Sequence, residues 1–292
     1  MASPYHLAIP GKFVVVGKQP DGDSVRFVAE NAAQYRDLRN GHRARVSSDG
    51  SVQLRFEAID APEVHYGTAA QPLGPEARAA ALQWLGFRNV RFADDGITVT
   101  SARPASVPGL IMSKAVEING RPVSYVLRAE DAPVRGRGWK TVDRRVLAAT
   151  LNQHLIQTGD VYPTFYTSTP RQHRQILRAL AVEARIEGAG VWALDSTWQF
   201  VLEDQRSIGP EGALILPKLF RRATDYLKDR ADGFAGTFPE WILDASTTPY
   251  RDENDGVVVD ERLEVHLADL VQQRNRRIQF QADPLDIVFV EK

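Results

Sequence analysis

The amino-acid sequence predicts an α+β fold, with short strands opening the chain and helices following them. Three observations lead there. Val52, Leu54, Phe56 and Ala58 alternate with Gln53, Arg55 and Glu57, the two-residue period of a half-buried strand. Asp21-Gly22 lies between two other β-rich runs, and Asp-Gly marks a tight turn because glycine accepts the positive φ such turns require. After Gly74 the period changes: Pro75 suits a first helical position, and Ala81, Leu82 and Leu85 share one face of the run that follows.

In chain order, strands are predicted at Phe13 to Val16, Ser24 to Val28 and Val52 to Ile59, and a helix at Glu76 to Leu85. Strands at Val90 to Phe92, Ile97 to Thr100 and Val123 to Leu127 come next, then helical stretches at Val142 to Gln157 and Arg171 to Ile186. Five or so strands with three helices thus occupy the first part. Beyond Ser196 the pattern weakens to a helix at Pro217 to Lys228, a Pro-, Thr- and Asp-rich stretch at Thr237 to Asp255, and a strand-like run at Ile287 to Val290. No internal repeat is visible, and Asp252, Asp255 and Gly256 miss the ligand spacing of a helix-loop-helix calcium site.

A chain of 292 residues with 43% hydrophobic and 25% charged residues has room for two domains and a sizeable core. No apolar run approaches the roughly 20 residues of a membrane helix, so a soluble protein without membrane partners is expected. Residues Met1 to Gly11 hold no basic stretch followed by an apolar segment, which points to the cytoplasm. The absence of cysteine excludes disulfides, thiolate-bound zinc and cysteine nucleophiles. The formal net charge of -1 is unevenly spread: residues 1 to 195 carry 24 Lys+Arg against 19 Asp+Glu, and residues 196 to 292 carry 12 against 18. That asymmetry fits an anionic partner for the first part, and equally two solvated surfaces of different composition.

Two stretches exceed what turns need, and both are basic: Asn31 to Gly50, with Arg36, Arg39, Arg43 and Arg45, and Ala132 to Arg145, with Arg135, Arg137, Lys140, Arg144 and Arg145. They are either solvated loops or arms toward a phosphate backbone.

With no His-Glu-x-x-His and no Gly-x-Ser-x-Gly, carboxylates and arginines are the remaining candidates for hydrolytic chemistry. Gly11 and Gly17-Lys18 fail as a phosphate loop, the spacing being one residue too long and Gln19 standing where Ser or Thr is needed. Three segments stand out: Asp21-Gly22-Asp23-Ser24-Val25; Arg55 followed by Ile59-Asp60-Ala61-Pro62-Glu63; and Asn119-Gly120-Arg121 ahead of a strand. Taken singly they read as a turn, a strand exit and an unremarkable dipeptide.

Their order resembles the staphylococcal nuclease family, whose pattern is Asp-Gly-Asp-Thr/Ser-Val, then Arg with Asp-Thr/Ala-Pro-Glu after four residues, then Gly-Arg. The likeness continues through Gly74-Pro75-Glu76-Ala77, Asn152 to Gly159 and Gly190-Val191-Trp192, covering residues 10–195 and leaving 196–292 as a C-terminal extension of uncertain mixed structure. It implies a five-stranded OB-fold β-barrel with three helices, and a calcium-dependent nuclease that cuts DNA or RNA, single strands favoured, with little sequence specificity and 3'-phosphate ends. Asp23, Asp60 and the carbonyl of Ala61 would hold Ca2+, Arg55 and Arg121 the scissile phosphate, and Glu63 would act on the attacking water. A non-catalytic nucleic-acid or protein binding module on the same barrel is the alternative.

Those residue types suit the reaction. A hard divalent cation prefers oxygen ligands and offsets the charge by which a phosphodiester repels hydroxide, while arginine presents paired donors matched to phosphate oxygens. Parity raises a structural demand, because Arg55 and Asp60 would face opposite sides of a regular strand, so the strand must break near Ile59. In the third motif Arg135 and Arg137 compete with Arg121, which is preferred because strand-like Val123 to Leu127 follows it. Asn119 stands where the family has an aromatic residue, and Phe165 and Tyr166 lie where it has tyrosines, so these two are the candidate substrate contacts. His65, His154 and His173 lack zinc-ligand spacing and are expected at the surface, and Trp84, Leu85 and Trp192 in packing roles. The extension either competes with the phosphate backbone through its acidic charge or buries Leu214, Leu216, Leu219, Phe220 and Trp241 against the first part.

Overall fold

The first half is organised by one long strand whose Leu7, Ala8, Ile9 and Phe13 are buried. The computed structural model describes residues 4–134, 136–246 and 255–291. Its elements run β1 (Tyr5–Val14), β2 (Arg26–Ala29), β3 (Ser51–Gln53), β4 (Arg55–Phe56), β5 (Ile59–Asp60), α1 (Gly74–Leu85), and a hairpin of β6 (Arg88–Phe92) and β7 (Val99–Arg103). Then come β8 (Ser106–Val116), β9 (Pro122–Arg128), β10 (Gly138–Thr141), α2 (Arg144–Ala148), α3 (Leu151–Gln157), β11 (Tyr162–Pro163), β12 (Phe165–Tyr166) and α4 (Arg171–Ile186). The class is α+β, as the sequence predicts.

The main sheet has the order β3-β2-β1-β8-β9-β4, with β10 on the free part of β1. Its two end strands, β3 and β4, are separated in sequence by Leu54 alone. One short segment therefore begins on β2 and ends on β9, which obliges the sheet to curl round toward closure. The alternating residues Val52, Leu54 and Phe56 point into the interior so formed, each at most 1% exposed.

The predicted strand Val52 to Ile59 does break, and Ala58 is the place. Its φ of 67° puts a left-handed residue between β4 and β5 and changes the parity between Arg55 and Asp60. Asp60 then continues on β5 against Tyr162 of β11. The predicted helix from Val142 to Gln157 is divided in two, because Asp143 and Thr150 each cap a helix start, accepting from Val146 N at 2.8 Å and Gln153 N at 3.1 Å. The central strand β8 is missing from the sequence reading. Its middle, Leu110-Ile111-Met112-Ser113, is buried on both faces, so the alternation that reveals half-buried strands is absent.

The extension comprises β13 (Gln199–Val201), α5 (Pro217–Ala231), α6 (Phe238–Ser246), β14 (Gly256–Val259), β15 (Leu263–His266), β16 (Val271–Arg274), β17 (Arg277–Phe280) and β18 (Ile287–Phe289). Within the predicted Thr237 to Asp255 stretch, residues 247–254, including Asp252, lie outside the described residues. No seam follows Asp195. Tyr162 OH donates to its carboxylate at 2.8 Å, Ser196 N donates to Leu214 O at 2.7 Å, and β18 pairs in parallel with β12 of the first part. Leu214, Leu216, Leu219, Phe220 and Trp241 are each at most 2% exposed and belong to one continuous core with the first part. Of the two expectations for the extension, burial is the one observed. Among the described residues no helix is long and apolar enough to cross a membrane.

Candidate active site

Each of the three sequence motifs is carried to one pocket by a local backbone device. At the first, Asp21 N donates to Ser24 O at 3.0 Å and Gly22 N donates to the Asp21 carboxylate at 2.7 Å, closing a tight turn. Gly22 is required there, since a Cβ on it would stand 2.6 Å from the Ala61 Cβ and 3.0 Å from that of Ala77. Phe56 N then donates to Asp23 O at 2.8 Å, which fastens Asp23 beside Arg55. The second and third motifs meet through the parallel pairing of Arg55 with Val123, two residues after Arg121. The turn before Arg121 needs Gly120, whose φ is 83° and whose place for a Cβ is filled by Arg45 Cγ at 2.5 Å and Arg43 O at 2.7 Å.

The pocket has a volume of about 780 Å³, in the range of a ligand site, and Asp23, Arg55, Glu63 and Arg121 all line it. Asp60 does not. It is fully buried, and both of its oxygens accept from the Arg221 guanidinium of α5, Nη1 at 3.1 Å and Nη2 at 2.7 Å. The same Nη1 donates to Glu63 Oε1 at 2.5 Å. Arg221 lines the pocket itself, with 20% of its side chain exposed. Ala61 is buried behind Gly22 and does not line the pocket.

Burial and neighbouring charge reshape the acidic groups. Asp23 is pushed up, first by burial and then by the charge of Asp60. Glu63 is pushed up to about 7, mainly by burial, with Arg221 opposing the rise. Burial works against the charge of Arg55, but Tyr166, Asp60 and Asp23 outweigh it and hold the guanidinium above its ordinary value.

Of the phosphate candidates, Arg55 Nη2 donates to Tyr166 OH at 3.2 Å, while Arg121 donates from Nε to Glu117 Oε1 at 3.0 Å. Arg137 is paired with Glu30 at 3.0 Å and does not line the pocket; Arg135 lies outside the described residues. Tyr166 lines the pocket and leans on Phe289 of β18, with ring centres 5.8 Å apart. Phe165 is a correction: successive strand residues face opposite ways, and Phe165 is the one turned inward, fully buried. His173 is a second correction, buried rather than superficial and placed between Tyr125 OH at 2.9 Å and Val142 O at 2.7 Å. Trp192 is buried as a packing residue and His65 lines the pocket.

Arg39 and Arg43 of the first basic insertion also line the pocket, Arg39 pairing with Glu291 at 3.2 Å. The extension contributes Glu291 and, from α5, the cations Lys218, Arg221 and Arg222. These cations occupy positions i, i+3 and i+4, one face of α5, and that basic face within an acidic half was the available signal. α5 thus brings cations to the pocket, while the acidic side of the extension reaches it through Glu291, which pairs with Arg39.

As donors for a hard cation the site offers the carboxylates of Asp23, Asp60 and Glu63, and the Arg221 guanidinium already occupies a cation's place between two of them. With the side chains as they stand, no group of three acidic or imidazole residues among the described residues forms a cage for a metal ion. Compared with protein-family models and with curated proteins, the chain matches none.

Proposed function

We propose that this protein is a calcium-dependent nuclease that hydrolyses phosphodiester bonds of DNA or RNA strands with little regard to sequence, leaving 3'-phosphate ends. One observation carries the reading. Asp23, Arg55, Glu63 and Arg121, widely spaced in the chain, converge on a single pocket, with Asp60 beneath it. The five-stranded OB-type barrel of the staphylococcal nuclease family is supported by the curl that places β3 and β4 at opposite ends of the sheet.

The donor set fits a hard divalent cation, held by Asp23 and Asp60 with the carbonyl of Ala61, and such an ion would neutralise phosphate charge and activate water. Arg55 is the phosphate ligand best prepared for the task, fixed on Tyr166 yet open to the pocket. Arg121 exchanges its Glu117 partner for a phosphate oxygen, and Glu63, whose affinity for a proton is raised to about 7, takes or orients the water proton.

Cleavage of a labelled single-stranded oligonucleotide, with calcium and with excess chelator, tests the proposal on the wild type and on Asp23→Asn. Calcium-dependent cutting, lost in the variant, is expected. Undiminished cutting in chelator would overturn the metal role. The second reading, a non-catalytic binding module, is favoured by the hold of Arg221 on Asp60 and Glu63. Oligonucleotide binding without cleavage under any of these conditions would establish it.

A further inference from the structure

The helix that brings Arg221 to the pocket lines it with three cations, and they are not equivalent. Lys218 Nζ lies 3.5 Å from Asp255, and Arg222 donates to both Asp255 oxygens at 3.0 to 3.2 Å. Asp255 belongs to the extension and is 2% exposed, so the extension supplies its own counter-ion for these two. Among the described residues, Arg221 is the one of the three that bridges to carboxylates of the first half.

Its contact excludes any other cation at Asp60. A calcium ion needs carboxylate oxygens at roughly 2.3 to 2.6 Å, and both Asp60 oxygens already accept from the two Arg221 nitrogens. The route out is also defined. Asp60 is fully enclosed, while Arg221 is partly exposed and lines the same cavity as Arg55 and Arg121. A guanidinium that leaves a carboxylate in this place faces the space where a phosphodiester would lie, and its planar fork matches phosphate as well as carboxylate.

We propose that Arg221 is an exchangeable cation of this site: it holds Asp60 and Glu63 when the pocket is free, and it moves to the substrate phosphate when a divalent cation takes those carboxylates. The inference rests on the nuclease reading for its substrate class. The exchange makes Arg221 a phosphate-binding residue supplied by the extension. It also couples the two ligands, because each relieves the other of displacing Arg221, and binding linkage requires the coupling to be reciprocal.

The full-length chain, Arg221→Gln and Arg221→Lys are titrated with calcium by calorimetry, alone and with a saturating short phosphorothioate oligonucleotide that is not cut during the measurement. For the wild type the oligonucleotide is expected to tighten calcium binding about tenfold. Arg221→Gln is expected to bind calcium about tenfold tighter than wild type without oligonucleotide, and to gain less than about threefold from adding it. Arg221→Lys, which keeps the charge and loses the fork, falls between the two and serves if the glutamine variant fails to fold. Equal or weaker calcium binding in the variants overturns the proposal, as does an undiminished oligonucleotide effect or no calcium binding in any of the three proteins. The outcome is separable from the nuclease reading. Calcium affinities that behave as expected while no oligonucleotide is ever cut leave the exchange standing and remove the nuclease. Calcium-dependent cutting with indistinguishable calcium affinities does the reverse.

Discussion

Replacing Asn152 by alanine tests how the strand break that positions Asp60 is held. Asn152 is fully buried on α3; its Oδ1 accepts from Val126 N at 2.9 Å, and its Nδ2 donates to Glu57 O at 2.8 Å and Ser124 O at 3.1 Å. One side chain thus clips a helix to β9 and to the residue just before Ala58. Ser124 O keeps a second donor in Glu57 N at 2.9 Å, so the truncation orphans two buried groups, Val126 N and Glu57 O. At about 1–3 kcal/mol for each buried group left without a partner, Asn152→Ala should cost about 2–6 kcal/mol, before the small void is counted. With a urea m-value of about 3 kcal/mol/M, the unfolding midpoint falls by about 0.7 M or more. Asn152→Asp restores the acceptor for Val126 N but turns a carboxylate oxygen toward two carbonyls, and it should be at least as destabilising. Urea unfolding followed by circular dichroism reads all three proteins. A loss below about 1 kcal/mol in Asn152→Ala would refute the clip, since no arrangement of two orphaned groups is that cheap.

Two further outcomes follow from buried groups elsewhere. His6 is fully buried and its pKa is lowered from 6.5 to about 3, by burial first and then by Lys114. Because the unfolded chain binds a proton below pH 6.5 that the fold refuses until about pH 3, stability is present above 6.5 and lost as pH falls, by about 3 kcal/mol at pH 4.5 from this residue. Urea midpoints between pH 7 and 4.5 should fall less steeply in His6→Gln than in the wild type, and parallel curves would remove His6 as the cause. Gly22→Ala places a methyl group 2.6 Å from the Ala61 Cβ, and overpacking of this kind costs about 1–3 kcal/mol. An unchanged midpoint in that variant would show that the turn and α1 separate freely.

How much of this was legible in the sequence depends on the range of the interaction. Local signals sufficed for α1 and α4, whose periods and starts are written in consecutive residues, whereas Gly22 is required not for a positive φ, which it does not have, but for the close approach of Ala61 and Ala77. Even the break between Arg55 and Asp60 followed from parity, though its seat at Ala58 did not, because a left-handed alanine leaves no trace in composition. β8 escaped because a strand covered on both faces has no alternation to read. Phe165 and Tyr166 were found as a pair, but which of them faces the pocket depends on the pairing of β12 with β18 more than a hundred residues away.

By itself, then, the sequence determined the α+β class, the extents of α1 and α4 and the start of α5, though not α6 or the division of α2 from α3, and the set of carboxylates and arginines that could share one site, since each rests on short-range periodicity, turn chemistry or residue type. Only the tertiary structure decided that the extension belongs to the same core and that three of its cations reach the pocket despite its net negative charge. The physical reason is that net charge sums over a whole segment, whereas an ion pair depends on a few ångströms of geometry. Arg221 lies 161 positions from Asp60 along the chain, and it meets both oxygens of that carboxylate only because Leu219 and Phe220 beside it are buried in the common core.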